Sequence, residues 1–147
     1  MTIEKILKKL KQEHALMGEP AIASDLERCQ KAMADNGFAP IPQDYLDFLT
    51  KCNGLEFDGI YFCGTNKVPS RSSDYMLKDI VSLNIKFTER VSTQNIVLGE
   101  GDCDVLYLYH PESGRYKVDM YGTIDEFDTF EALFADDAFS YLMDKEN

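Results

Sequence analysis

Apolar residues at the start of the chain recur at helical spacing. Ile3, Ile6, Leu7, Leu10, His14 and Met17 form one stripe, and Lys5, Lys8, Lys9, Lys11 and Glu13 lie off it. The pattern predicts an amphipathic helix from Thr2 to Met17, stopped by Gly18-Glu19-Pro20. Ser24-Asp25-Leu26-Glu27 has capping-box form and opens a second predicted helix, with Leu26, Cys29 and Met33 inward and an end at Asn36-Gly37. A third predicted helix starts at Pro42, whose missing N–H costs nothing in a first turn, and ends at Asn53-Gly54. Its apolar face is Tyr45, Phe48, Leu49 and Cys52, at i, i+3, i+4 and i+7.

Beyond that helix the period shortens. Gly59-Ile60-Tyr61-Phe62-Cys63 is β-branched and aromatic and reads as a buried strand. Thr65 to Lys78, with Asn66, Pro69 and three serines, reads as a surface loop, and Asp79 to Glu89 fits a helix better than a strand. Asn95–Gly99, Asp104–Tyr109 and Arg115–Met120, joined by short turns, predict three antiparallel strands. In the last, Tyr116, Val118 and Met120 alternate with Arg115, Lys117 and Asp119, as in a strand with one wet face. Thr129 caps a closing helix through Phe130, Leu133 and Phe134, with Phe139, Tyr141, Leu142 and Met143 after a break at Asp136-Asp137. Helices, then a largely antiparallel sheet, then a helix describe one α+β domain over residues 1–147, its sheet covered on one face and partly open on the other.

The chain has 147 residues, 44% hydrophobic and 12% aromatic, enough for one sizeable core. No window approaches the roughly 18 apolar residues of a membrane span, and the charged N-terminus does not suit a signal peptide, so a cytoplasmic protein is expected. Cys29, Cys52, Cys63 and Cys103 are widely spaced and distant from His14 and His110. Reduced thiols, the first three of them buried, are expected rather than a zinc site.

Charge changes the functional picture. Residues 1–99 hold 13 acids and 12 bases, whereas residues 100–147 hold 13 acids and 3 bases, so nearly all of the net −11 lies in the last third. A nucleic-acid ligand is excluded on that balance, since such binding needs a basic surface. The natural complement is a basic protein.

Four features of the chain could carry chemistry. Glu100, Asp102 and Asp104 alternate between glycines, but they lack the spacing of a calcium loop, so no metal is assigned. His110 has no nucleophile or orienting carboxylate in a recognisable motif, so no catalytic residue and no enzyme activity are assigned. Gly54, Gly59 and Gly64 form no phosphate-binding loop, and no cofactor is expected. Eight tyrosines, Tyr75 among them, are many for this length. Tyrosine suits contacts buried at one end and wet at the other, and Tyr107 with Tyr116 across a hairpin is the pair expected on the open face.

The Pro-x-x-Tyr-x-x-Phe-Leu-x-x-x-Asn-Gly run at Pro42–Gly54, the strand that follows, the Asn95-Ile-Val-Leu-Gly block and the closing Thr129-Phe-Glu-Ala-Leu-Phe helix together resemble the SUKH superfamily, most closely its YrhA-like group. The resemblance spans most of the chain but is loose between Thr65 and Thr93. It implies an immunity protein that binds and neutralises a bacterial toxin domain, of nuclease or deaminase type. Glu100, Asp102, Asp104, Asp125, Glu126 and Asp128, with Tyr107 and Tyr116, are the candidate contact residues. A housekeeping interaction or regulatory domain of the same kind is the alternative.

Overall fold

In the computed structural model, which describes residues 2–70, 76–91 and 94–142, a seven-stranded antiparallel sheet carries helices from both ends of the chain. The predicted Tyr75 and Met143 lie outside the described residues. The first helix, α1, spans Ile3–Gln12, with the Thr2 hydroxyl accepting from the Lys5 N–H. It is shorter than its apolar stripe suggests. His14 takes a left-handed conformation, φ 61°, and turns the chain so that Met17 lies in a strand, β1, Leu16–Met17.

Helix α2, Ala23–Asp35, begins one residue before Ser24, because the Asp25 carboxylate accepts from the Ile22 N–H and fixes the start there. It ends at Asn36-Gly37 as the sequence predicts, with Cys29 and Met33 buried. Helix α3 is Gln43–Leu49, preceded by Pro42. Tyr45, Phe48, Leu49 and Cys52 are all fully buried, so the apolar face is the one read from the spacing. Asn53 does more than end the helix. Its side chain donates to the Thr65 hydroxyl and accepts from the Thr65 N–H, each at 2.8 Å, tying the helix exit to the chain just beyond the hairpin that follows.

That tie leads through β2, Leu55–Phe57, and β3, Ile60–Phe62. The predicted loop after them contains a small two-stranded ribbon, β4 Val68–Pro69 with β5 Met76–Leu77. Helix α4, Ile80–Lys86, is opened by the Asp79 carboxylate, which accepts from the Ser82 N–H. The sheet then continues through β6 Ile96–Glu100, β7 Leu106–His110, β8 Arg115–Met120 and β9 Thr123–Phe127, in the order β1-β2-β3-β6-β7-β8-β9. Helix α5, Phe130–Leu133, runs into a π-helical turn at Phe134–Ala138, so the predicted break at Asp136-Asp137 is a widened turn. Its cap is Thr129, which accepts from the Ala132 N–H at 3.1 Å.

The core is aromatic. Phe48 packs against Tyr45, Phe62, Phe130 and Phe134 with ring centroids 5.1–6.3 Å apart, joining α3, β3 and the closing helix in one cluster. The Tyr45 hydroxyl is spent inside it, donating toward the Cys63 and Leu98 carbonyls. Where β3 stops short of β6, a side chain substitutes for the missing strand. The buried Asn84 amide accepts from the Val97 N–H at 2.8 Å and donates to the Val97 carbonyl at 3.0 Å. On the face of the sheet away from the aromatic cluster, Tyr61, Leu106 and Leu108 are also buried. Arg115, Lys117 and Asp119 there are half-buried and Ile124 and Glu126 exposed, so the open part lies toward β9.

Candidate functional site

Three turns meet at one end of the sheet, and the conformation of each follows from its residues. Asp58-Gly59, joining β2 to β3, has both residues at positive φ, 51° and 79°, the type I′ geometry that suits the right-handed twist of a hairpin. Glycine is needed there twice over, because a Cβ on Gly59 would lie 2.2 Å from Asp102 Oδ1. The second turn, between β6 and β7, is closed by the Gly101 N–H donating to the Val105 carbonyl at 2.8 Å and carries Asp102, Cys103 and Asp104. The third, Tyr121-Gly122, is again a two-residue turn with positive φ, 57° and 88°, and its Gly122 N–H donates to Asp119 Oδ1.

Side chains join these turns. The Tyr121 hydroxyl donates to Asp104 Oδ2 at 3.4 Å, and Arg90 holds the Asp104 carbonyl at 2.7 Å. The Tyr141 hydroxyl donates to Asp58 Oδ2 at 3.1 Å. Burial pushes the Tyr107 hydroxyl up to about 12, and the negative charges of Asp137 and Asp102 add to it. Asp137 is in turn raised above the usual carboxylate range, first by burial and then by the charge of Asp125. Asp58, Asp102, Asp104, Asp125 and Asp137 therefore share one end of the molecule, with Tyr107, Tyr121 and Tyr141 among them. All five non-glycine residues at positive φ among those described, His14, Asp58, Cys103, Asp104 and Tyr121, belong to this end or its immediate approach. Such conformations cost free energy and concentrate where a surface is shaped for contact.

The candidate residues divide on this geometry. Asp102 and Asp104 are exposed on the turn end, and Asp125 lies on β9 close to it. Glu100 is half-buried and pairs with Lys86 at 3.7 Å, on the wall of a cleft of about 480 Å³ also lined by Tyr61, Met76 and Asp102. Glu126 and Asp128 sit at the far end of β9, where Arg115 contacts both and Lys117 approaches Glu126 at 3.6 Å.

The tyrosine pairing needs correction. Tyr107 lies opposite Val118, and Tyr116 lies opposite Tyr109, with those two rings 4.8 Å apart. Neither Tyr107 nor Tyr116 faces the open side. Their rings are buried, Tyr107 on Phe62 and Tyr116 near Phe130, because the Tyr107-Tyr109 face of β7 is the one that the aromatic helices cover. The exposed aromatic at this end is Tyr121, at 70%.

Sequence reasoning missed Asp58, Tyr121, Asp137 and the whole of β9. Asp58-Gly59 and Tyr121-Gly122 between apolar runs were the available signals for the turns. Strand β9, Thr-Ile-Asp-Glu-Phe, carries two acids in five residues and no buried side chain, so it lacks the pattern by which strands are read.

The remaining chemistry is spread out. His110 lies at the opposite end of β7, where its Nδ1 is 2.8 Å from the Ser113 hydroxyl and the Ser113 and Arg115 N–H groups complete a turn network. That network accounts for both side chains. All four cysteines are free thiols, with Cys29, Cys52 and Cys63 buried and Cys103 exposed. Burial raises Cys52 to about 11 and Cys63 further, which leaves both thiols protonated and unreactive. Among the described residues no three His, Cys, Asp or Glu side chains are placed to hold a metal ion, and no helix is long and apolar enough to cross a membrane. A groove of about 650 Å³ beside α1 is of mixed charge, with Lys8, Lys11 and Lys51 on its walls beside Glu4 and Glu19, and Lys51 paired with Glu4 at 3.5 Å. In the comparisons with known proteins, no family model and no curated protein matches the chain.

Proposed function

We propose that this chain is a non-catalytic binding protein of the SUKH immunity kind, which captures a basic toxin domain of nuclease or deaminase type in the cytoplasm and blocks it. The observation that carries the reading is the convergence of acidic turns. Asp58 lies far in sequence from Asp102 and Asp104, yet all three share one sheet end with Asp125 and Asp137, joined through the Tyr121–Asp104 and Tyr141–Asp58 contacts. A toxin that acts on nucleic acid carries a basic surface, and an acidic surface competes for it while speeding the encounter. Tyr121 supplies the exposed aromatic that such an interface uses as an anchor. The order of sequence blocks, from the Pro42–Gly54 run to the Thr129 helix, supports the family reading.

The test is capture from the native cytosol with two baits, the wild-type chain and the double variant Asp102→Lys/Asp104→Lys, each at low and high salt. The reading expects one basic, toxin-like polypeptide in stoichiometric amount with the wild type, reduced by salt and by the double variant. A stoichiometric partner that is not a toxin would transfer the surface to a housekeeping interaction role. Capture unaffected by the variant would remove this end of the sheet from the interface.

A further inference from the structure

Strand β9 is the edge of the seven-stranded sheet, and among the described residues its only strand partner is β8. The two-residue turn at Tyr121-Gly122 makes Met120 and Thr123 the closing hydrogen-bonded pair of the hairpin. Bonding then alternates along the ladder. Thr123, Asp125 and Phe127 turn their backbone groups toward β8, while Ile124 and Glu126 direct their N–H and C=O groups outward. Natural sheets blunt such an edge with proline, a bulge, a covering element or charged side chains, and the only charges on β9 are the acids Asp125 and Glu126, which repel an acidic strand and not a basic one. Here the register Met120↔Thr123 through Tyr116↔Phe127 is unbroken, and the strand contains no proline or lysine.

The same hairpin holds three of the six exposed large hydrophobic side chains among the described residues: Met120 at 47%, Tyr121 at 70% and Ile124 at 50%. They do not form one patch, since Met120 shares the face of Tyr116 and Val118 and Ile124 that of Lys117 and Asp119, which leaves Ile124 as the exposed apolar side chain on the outer face of the edge. Charge selects the occupant. In an antiparallel pairing of two β9 strands from two copies, the register that bonds the outward groups of Ile124 to those of Glu126 sets Asp125 against its own image, and like charges directly opposite are destabilising. Each copy would also bring a net charge of −11. A segment with basic side chains meets none of this repulsion.

We infer that β9 is a docking edge at which a partner protein adds an extended, basic-apolar segment as an eighth strand, bonded to the outward backbone groups of Ile124 and Glu126. Because side chains alternate between the two faces, an alternating segment sets its apolar side chains on the face of Ile124 and its basic ones on the face of Asp125. Main-chain bonds supply affinity in this mode, and the alternate side chains supply specificity. The inference deepens the acidic-surface reading and rests on it for the partner's charge.

The test uses a synthetic blocked heptapeptide of alternating lysine and valine, with an alternating glutamate and valine peptide as control. Binding is followed by calorimetry and by amide hydrogen exchange of the full chain. The lysine peptide is expected to bind and to slow exchange at Ile124 and Glu126 by at least about tenfold, with the glutamate peptide inert. Ile124→Pro removes an outward N–H at a position where an edge strand tolerates proline. It is expected to retain the wild-type melting temperature and lose the binding, whereas Ile124→Thr retains both.

Three results would overturn the inference. They are no binding by the lysine peptide, binding without protection of those two amides, or a homodimer that Ile124→Pro dissociates, which would assign the edge to a second copy. The two readings can fail separately. If the captured partner binds Ile124→Pro as well as wild type but loses Asp102→Lys/Asp104→Lys, strand addition is wrong and the acidic-surface reading stands. If the lysine peptide behaves as expected and no basic partner is captured, the docking edge stands and the immunity reading falls.

Discussion

Asn84 occupies a buried position as a polar residue for a definite reason. Its amide replaces a strand, taking both the N–H and the C=O of Val97 where β3 no longer reaches β6. Asn84→Leu keeps the volume and orphans both groups, so denaturant unfolding is expected to show a loss of about 1–3 kcal/mol for each. Stability unchanged in that variant would mean that neither bond matters. Asp137 shows the opposite balance. Its carboxyl is raised by burial and by Asp125, so the folded state disfavours the ionised form. Asp137→Asn is therefore expected to raise the melting temperature near neutral pH. The gain is full above the raised folded-state value, shrinks as pH falls through it, and vanishes below the ordinary carboxyl value of 3.8. Melting curves of both proteins across that window check the sign. Neither residue could have been singled out from sequence, because Asn84 lies in an ambiguous segment and Asp137 meets Asp125 only in the folded chain.

At the scale of elements, legibility followed burial. Helix α3 was readable because one face is wholly apolar and the core has no alternative use for Tyr45, Phe48 and Leu49. Phe48→Ala would open a void among four aromatic rings, and a loss of about 3–5 kcal/mol is expected from thermal or denaturant unfolding. A loss below about 1 kcal/mol would contradict the packing described. Strands β6, β7 and β8 were readable from alternation and turns, and the α+β architecture followed. Alternation sorts the side chains of a strand into two faces, but it could not say which face the helices cover, and this misplaced Tyr107 and Tyr116. Strand β9 was invisible because it is exposed along its length, and α1 was read too long because a left-handed His14 interrupts a stripe that continues in register.

For the whole molecule, the charge asymmetry read along the chain becomes a polarity in space. The groove beside α1 is close to balanced, with three lysines and two glutamates on its walls, while the acidic turns gather at an end of the sheet. Sequence counting located the acidic third but could not sort its members. Glu126 and Asp128 are largely engaged with Arg115 and Lys117, and Asp58 enters the cluster from the neutral part of the chain. A surface of this kind acts on encounter, because charges at a rim steer association over distances that salt shortens.

The most direct measurement is the association rate of the captured partner with wild type and with Asp102→Lys/Asp104→Lys, at about 20 mM and about 500 mM salt. The account predicts that the variant associates at least about tenfold more slowly at low salt and that the two rates converge at high salt. Equal rates at low salt, in a variant with an unaltered melting temperature, would contradict the assignment of the acidic sheet end as the binding surface.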